Sequence, residues 1–359
     1  MSETKNIKKM KAVRLHAIGD LRCDEMEVPV PKGEELLIKV GACGVCGSDY
    51  PRTYEHGTSS GIYPLTIGHE FAGEVVAAGS KENEALIGTK AAIYPLIPCR
   101  KCDPCVTGNY AMCEHYDYLG SRRDGGFAEY VKVPESNLLF VPENVDEEAV
   151  AFLEPISVAL HVVQNCRVNY GDSVAVFGLG AIGIFVAQWA KAFGAKHVFA
   201  IDLDEKKVEI AKSMGLVDAL CIGKDDIDAI VKEKTNGTGI DRAFEASGAG
   251  AAFKQAISLL RMEGTLGLVG RPVHSLEIEN QTFEKILRFQ ITIKGTWSFE
   301  FKEFPHHAWK QSLDAINAGV IKTEPFISHR IPLEDTLKAV KLMKDKSEFF
   351  YKILIKPEM

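Results

Sequence analysis

No stretch of this sequence approaches the ~20 uninterrupted apolar residues needed to cross a bilayer, and its opening, MSETKNIKKMK, leads into no apolar core of signal-peptide length. On those absences a cytoplasmic chain with no membrane partner is expected. Excess positive charge is also missing. The formal net charge is −7, which offers nucleic acid or an anionic membrane no electrostatic footprint. The small basic cluster Lys5, Lys8, Lys9 and Lys11 has no accompanying aromatics or wider basic surface, so a solvated tail is expected there. Internal repeats and low-complexity segments are absent. An apolar fraction of 46% with 25% charged residues leaves no room for long disordered or collagen-like regions.

What is present is a chain of 359 residues, longer than one ordinary core supports, so two domains are expected. From Met10 to about Pro142, short β-like runs such as ELLIKVGACGV and FAGEVVAAG are punctuated by glycine and proline. From Ser173 to Trp297 the texture changes. Strand-like runs (SVAVFGL, HVFAID, ALCIG, DRAFEAS, GTLGLVG, ITIKGTW) alternate with helical patterns, which predicts a parallel sheet covered by helices. Beyond it come helices around Ala308–Ala318 and Leu333–Lys344, then a closing strand, YKILIKP. The stretch from Glu154 to Gln164 is expected to be helical and to form the hinge.

Within SVAVFGLGAIG an apolar strand runs into Gly178, Gly180, Ala181, Ile182 and Gly183 and then into a helical pattern. Such glycines permit a tight turn, close approach of backbone to a pyrophosphate, and close packing of helix on strand. The next strand ends at Asp202, where a carboxylate would accept hydrogen bonds from a ribose diol and repel a ribose phosphate. NAD is therefore preferred over NADP, although Lys206 and Lys207 follow nearby. Asp204 is read as a helix cap.

Nine cysteines is an odd number, and four of them, Cys99, Cys102, Cys105 and Cys113, fall in one short run. In a reducing compartment clustered thiols indicate metal binding or redox chemistry rather than disulfides. Four thiolates fit a closed, structural zinc site, with an iron–sulfur cluster as the alternative. A second set is scattered: Cys46 in GVCGSD, His69 and Glu70 in IGHEFAGEV, and Glu154 in FLEPISVALH. One thiolate, one imidazole and one or two carboxylates could form an open zinc site with room for water or an alcohol. Cys23, Cys43, Cys166 and Cys221 are expected to be packing residues.

GHEFAGEV at Gly68–Val75, the four-cysteine lobe and GLGAIG at Gly178–Gly183 occur in one order, and the chain from Met10 onward resembles the zinc-dependent medium-chain dehydrogenase/reductase family. The resemblance implies α/β architecture with a β-rich second domain. It divides the chain into a GroES-like catalytic domain with a structural zinc lobe over 1–158, a Rossmann domain with a doubly wound parallel sheet over 159–296, and a segment over 297–359 returning to the catalytic domain. It further implies an active site in the cleft and a homodimer or homotetramer joined through the Rossmann domains. Each subunit would carry one catalytic and one structural Zn2+.

By the same resemblance Cys46, His69 and Glu154 are catalytic zinc ligands, with Glu70 ligating directly, alternating with Glu154, or acting behind the ligands. Asp49 is expected to accept the second N–H of His69. Ser48 would begin a proton relay, whose continuation is open because Pro51 stands where many alcohol dehydrogenases carry histidine; His56 is a candidate. FLEPISVALH is similar to the polyol dehydrogenase branch, and YDYLGSRRDGGFAEY to a subgroup acting on galactitol 1-phosphate. That implies oxidation of a sugar-alcohol phosphate to a ketose phosphate, with Arg52, Arg122 and Arg123 as phosphate contacts. Trp297 and Phe299 either shape the substrate pocket or belong to the core. The competing possibilities are an unphosphorylated polyol, threonine, or a non-catalytic nucleotide-binding protein.

Overall fold

Ser173–Phe177 (SVAVF) is buried along its whole length, the pattern of a strand covered on both faces. In the computed structural model, which describes residues 8–143, 145–272, 274–299 and 308–359, it lies inside a six-stranded, wholly parallel sheet. The spatial order is Ala219–Cys221, His197–Asp202, Ser173–Phe177, Ile240–Glu245, Leu260–Leu268 and Thr292–Gly295. The chain thus runs outward in one direction, returns to the centre and runs outward in the other. Between Ser173–Phe177 and Ile240–Glu245 the order reverses, and ligands of doubly wound folds bind at such a switch point. The connecting helices Ala181–Ala192, Glu205–Ser213, Ile227–Lys234, Gly250–Leu259 and Asn280–Arg288 follow the apolar spacing of the sequence. Asp204 and Asp226 cap two of them, accepting from the Lys206 and Ala229 amides at 2.9 and 3.1 Å.

Glycine-punctuated, β-branched runs build a different sheet elsewhere. Glu35–Gly44 pairs antiparallel with Glu70–Ala78, with Tyr130–Pro134 and, at its far end, with Lys352–Lys356. Its inward side chains, among them Ile38 and Val40, pack with Leu15, Ile67, Phe71 and Ile353 in one buried core. The closing strand from the end of the chain is therefore an integral member of this sheet.

Among the described residues the chain divides into two compact units: one formed by residues up to Glu154 with 308–313 and Phe326–Met359, the other by 155–299 and Asp314–Pro325. Helix Leu153–Asn165 spans the division. The segment Asp314–Pro325 packs with the parallel-sheet unit rather than with the rest of the C-terminal region. Gln188 explains this locally, since its side chain donates to the Lys322 carbonyl at 3.2 Å and accepts from the Lys322 amide at 2.8 Å. No helix of the described residues is long and apolar enough to cross a membrane.

Candidate active site

Leu96–Ile97 pairs antiparallel with Asp117–Tyr118, and this base closes the loop that carries the four clustered cysteines. The sulfur atoms of Cys99, Cys102, Cys105 and Cys113 lie within 4.8 Å of one another. Cys99 and Cys105 are 4.0 Å apart, Cys102 and Cys113 3.8 Å. Thiolates about 2.3 Å from a tetrahedral zinc stand about 3.8 Å from each other, so the loop fits such an ion. The Lys101 amide, against the effect of burial, holds the Cys99 thiol down to about 6, while burial pushes Cys105 up to about 12. A cation is what lets all four ionise together.

The second set is assembled by strand register. Glu70 lies directly opposite Gly44, and Cys46 follows Gly44 by two residues. The ligand atoms of Cys46, His69 and Glu70 consequently come within 4.8 Å of one another. Glu154, 8% exposed in the first turn of its helix, stands outside that tightest group but within electrostatic reach. Burial raises its pKa to about 7, with His69 opposing and Glu70 adding to the rise. Burial, then Glu70, pushes the Cys46 thiol far above its ordinary range.

Asp49, fully buried, accepts the Cys46 amide at 2.9 Å. Its other oxygen faces His69 Nδ1 at 3.7 Å, beyond hydrogen-bonding distance, and both atoms are buried without a hydrogen-bond partner. The expected bond from His69 to Asp49 is thus not closed. Two orphaned atoms facing each other fit a cation on Nε2, which obliges Nδ1 to carry a proton towards Asp49. Ser48 occupies the N-cap position of a short helix, yet its hydroxyl makes no capping bond.

Two partners of this cluster escaped the sequence. Lys352 donates to the Glu70 carboxylate in a buried pair from 282 residues away. Tyr118 donates to Glu154 Oε1 at 3.4 Å. Only strand pairing in three dimensions signals the first, since nothing near Lys352 in sequence marks it as functional. The second sits in a quoted motif, YDYLG, but carries no pattern of its own.

In the parallel-sheet unit, Gly178 has φ +93°, and a side chain there would meet Ser247. A Cβ on Gly183 would stand 1.8 Å from the Gly178 carbonyl oxygen. Both positions therefore require glycine. Gly180 precedes helix Ala181–Ala192, whose first turn holds Ala181, Ile182 and Gly183. Asp202 braces the turn, accepting the Leu179 amide at 2.6 Å and the Asp204 amide at 2.9 Å. Glu245, buried at the end of the neighbouring strand, shapes the facing loop by accepting the Ser247 and Gly248 amides at 2.8 and 2.9 Å. That carboxylate, too, went unnoticed in the sequence.

The three arginines differ. Arg123 is committed to Asp117 at 2.8 Å. Arg122 stacks over the Tyr116 ring at 4.2 Å and donates to the Tyr116 carbonyl, while Arg52 donates to Ser59 at 3.3 Å. Arg52 and Arg122 each keep a buried Nε without a partner. His56 is exposed and faces Glu55 at 3.8 Å. Phe299 belongs to the core, whereas Trp297 is exposed under the Arg271 guanidinium. Cys43, Cys166 and Cys221 are buried, but Cys23 is exposed on strand Asp20–Glu27 and is not a packing residue.

Comparison with known proteins adds to this geometry. Residues 32–143 match the alcohol dehydrogenase GroES-like domain, and residues 181–318 match the zinc-binding dehydrogenase domain. Galactitol 1-phosphate 5-dehydrogenase of Escherichia coli (strain K12) is 34% identical over 92% of this chain and 96% of its own. A crystal structure of galactitol-1-phosphate dehydrogenase from Escherichia coli superposes with a TM-score of 0.89, at 33% identity over 97% of this chain and 100% of that one. L-threonine 3-dehydrogenase of Bacillus licheniformis is 35% identical over 88% of this chain and 91% of its own. A zinc-binding dehydrogenase from Sinorhizobium meliloti 1021 bound to NADP gives a TM-score of 0.88, at 30% identity over 97% of this chain and 99% of that one.

Proposed function

This chain belongs to the zinc-binding alcohol dehydrogenase family, and from that premise we propose that it oxidises a secondary hydroxyl of galactitol 1-phosphate to a ketose phosphate, with NAD as acceptor. The observation that carries the proposal is the convergence of Cys46 and His69 with two buried carboxylates, Glu70 and Glu154, a mixed set suited to an open metal site. Cys46, His69 and Glu154 would hold the catalytic zinc, and Cys99, Cys102, Cys105 and Cys113 the structural one. When bound, the catalytic zinc supplies a Lewis acid that lets an alcohol ionise near neutral pH, and the nicotinamide supplies the hydride acceptor.

The chain's own residues position and exchange protons. Ser48, its hydroxyl uncommitted to a cap, takes the alcohol proton at Oγ. Pro51 has no titratable group to extend that relay, and the proton passes to water either directly or by way of the exposed His56. Gly178, Gly180, Ala181, Ile182 and Gly183 cradle the pyrophosphate at a helix N-terminus. Asp202, already fixed by two amides, receives the ribose diol and repels a ribose phosphate, which favours NAD over NADP.

Arg52 and Arg122, which donate to the neutral Ser59 hydroxyl and Tyr116 carbonyl, are the candidate cations for a substrate phosphate. Arg123 is already neutralised by Asp117. The nine free cysteines suit a reducing, cytoplasmic setting. Assembly as a homodimer or homotetramer is supported by the exposed edge strand Thr292–Gly295 and by exposed Phe283 and Leu287 on the adjoining helix. Light scattering tests that point.

NADH formation by zinc-loaded enzyme tests the substrate. Galactitol 1-phosphate is expected to exceed galactitol, sorbitol and threonine in kcat/KM by roughly tenfold or more, the worth of a charge-assisted contact. Equal turnover of a neutral polyol would remove the phosphate site. The threonine relative makes threonine the second reading, and its preferential oxidation would establish it. Replacing Arg52 and Arg122 by glutamine should penalise only the phosphorylated substrate.

A further inference from the structure

Tyr118 ends the short strand that closes the four-cysteine lobe, with Leu96 opposite it in register. From that base its side chain reaches the other metal set. The phenol donates to Glu154 Oε1 at 3.4 Å, and the ring stands edge-on to the His69 imidazole, centroids 5.9 Å apart and planes at 62°. A single side chain therefore touches two of the residues assigned to the open site. A phenol carries its proton at neutral pH, so the hydroxyl acts as a donor.

The two carboxylates of the site are tethered by unlike groups. Glu70 is bound to the Lys352 ammonium, which neutralises its charge. Glu154 has the neutral Tyr118 hydroxyl as its hydrogen-bond partner among the described residues. A neutral donor orients a carboxylate through one lone pair and leaves its charge for a cation, whereas an ammonium competes with that cation.

We propose that Tyr118 is a positioning residue that turns Glu154 towards the catalytic metal, beside the nearer Glu70; this rests on the metal centre proposed above. The strand at the base of the cysteine lobe thus also carries the side chain that sets the direction of Glu154. Loss of the hydroxyl would loosen one ligand while leaving the hydrophobic contact with His69 intact. Second-sphere partners of this kind typically change metal affinity by about 10–100-fold.

Cobalt(II) placed in the catalytic site reports ligand geometry through its visible spectrum. Tyr118→Phe removes the hydroxyl and keeps the ring; it is expected to shift the cobalt bands and to release cobalt to a chelator roughly tenfold faster or more. The metal of the cysteine lobe should leave at the wild-type rate. An unchanged spectrum and release rate in Tyr118→Phe would overturn the inference. Glu154→Gln, measured alongside, separates the two levels. A change there with none in Tyr118→Phe removes the role of Tyr118 and keeps the metal centre, while no change in either removes both. Should Tyr118→Phe lose the lobe metal, 3-fluorotyrosine at position 118 preserves shape but alters the donor, and an unshifted cobalt spectrum there likewise overturns the role.

Discussion

Lys352 and Glu70 form an ion pair in which each side chain is only 3% exposed. Glu70 opens the strand beside Gly44, and Lys352 lies on the strand that pairs with Gly44 from the other side, so the sheet itself brings the charges together. Breaking a buried pair leaves one charge without compensation, at a cost of about 3–5 kcal/mol.

Lys352→Met should therefore lower unfolding stability by about that amount, while Lys352→Met combined with Glu70→Leu should recover much of it. Denaturant titration of enzyme lacking the catalytic metal measures both. A single-variant loss below about 1 kcal/mol would show that the pair contributes no more than a surface contact.

Metal in the cysteine lobe should support folding and not chemistry. Cys102→Ser is expected to reduce bound zinc from two per chain to one and to lower the thermal midpoint. The remaining zinc should stay with the Cys46 set. Elemental analysis with calorimetry decides this, and loss of both ions together would show that the sites are not independent.

Dinucleotide selectivity should follow Asp202. Its carboxylate already fixes the Leu179 amide of the glycine turn and the Asp204 amide that follows its own strand, so Asp202→Asn should raise the KM for NAD and narrow the margin over NADP. Gly183→Ala should be harsher, because its Cβ would lie 1.8 Å from the Gly178 oxygen. Fluorescence titration with NADH, with metal content as the control, should show weakened binding and full zinc. Undiminished NADH affinity would remove the glycine turn as the binding site.

Loading the catalytic site should release protons in a pH-dependent number. In the metal-free site burial keeps the Cys46 thiol protonated and raises Glu154 to about 7. A carboxyl with a raised pKa is protonated below that value and ionised above it. The joint release from these two groups should thus fall from about two protons at pH 6 to about one at pH 8. Titration calorimetry in buffers of different ionisation enthalpy measures the count. In Glu154→Gln the pH-dependent part of this release should disappear.

Much of this was legible in the chain because it is local. The glycine turn, the strand ahead of it and Asp202 lie within a single strand–helix–strand unit, and the four cysteines share a single loop. Spacing alone specifies such sites, since the intervening backbone has little freedom to place the residues elsewhere. The alternation of strands and helices likewise announced the parallel sheet.

What only the tertiary structure decided is non-local. Cys46 and Glu70 meet through strand register, Lys352 arrives on a strand from the far end of the chain, and Tyr118 reaches Glu154 from the base of another loop. The same holds for Gln188, whose two bonds to Lys322 bring part of the C-terminal region into the parallel-sheet unit. The residues themselves were all in the sequence. Their partners were not, because a buried polar group is satisfied by whatever packing brings near it, and sequence separation says nothing about that.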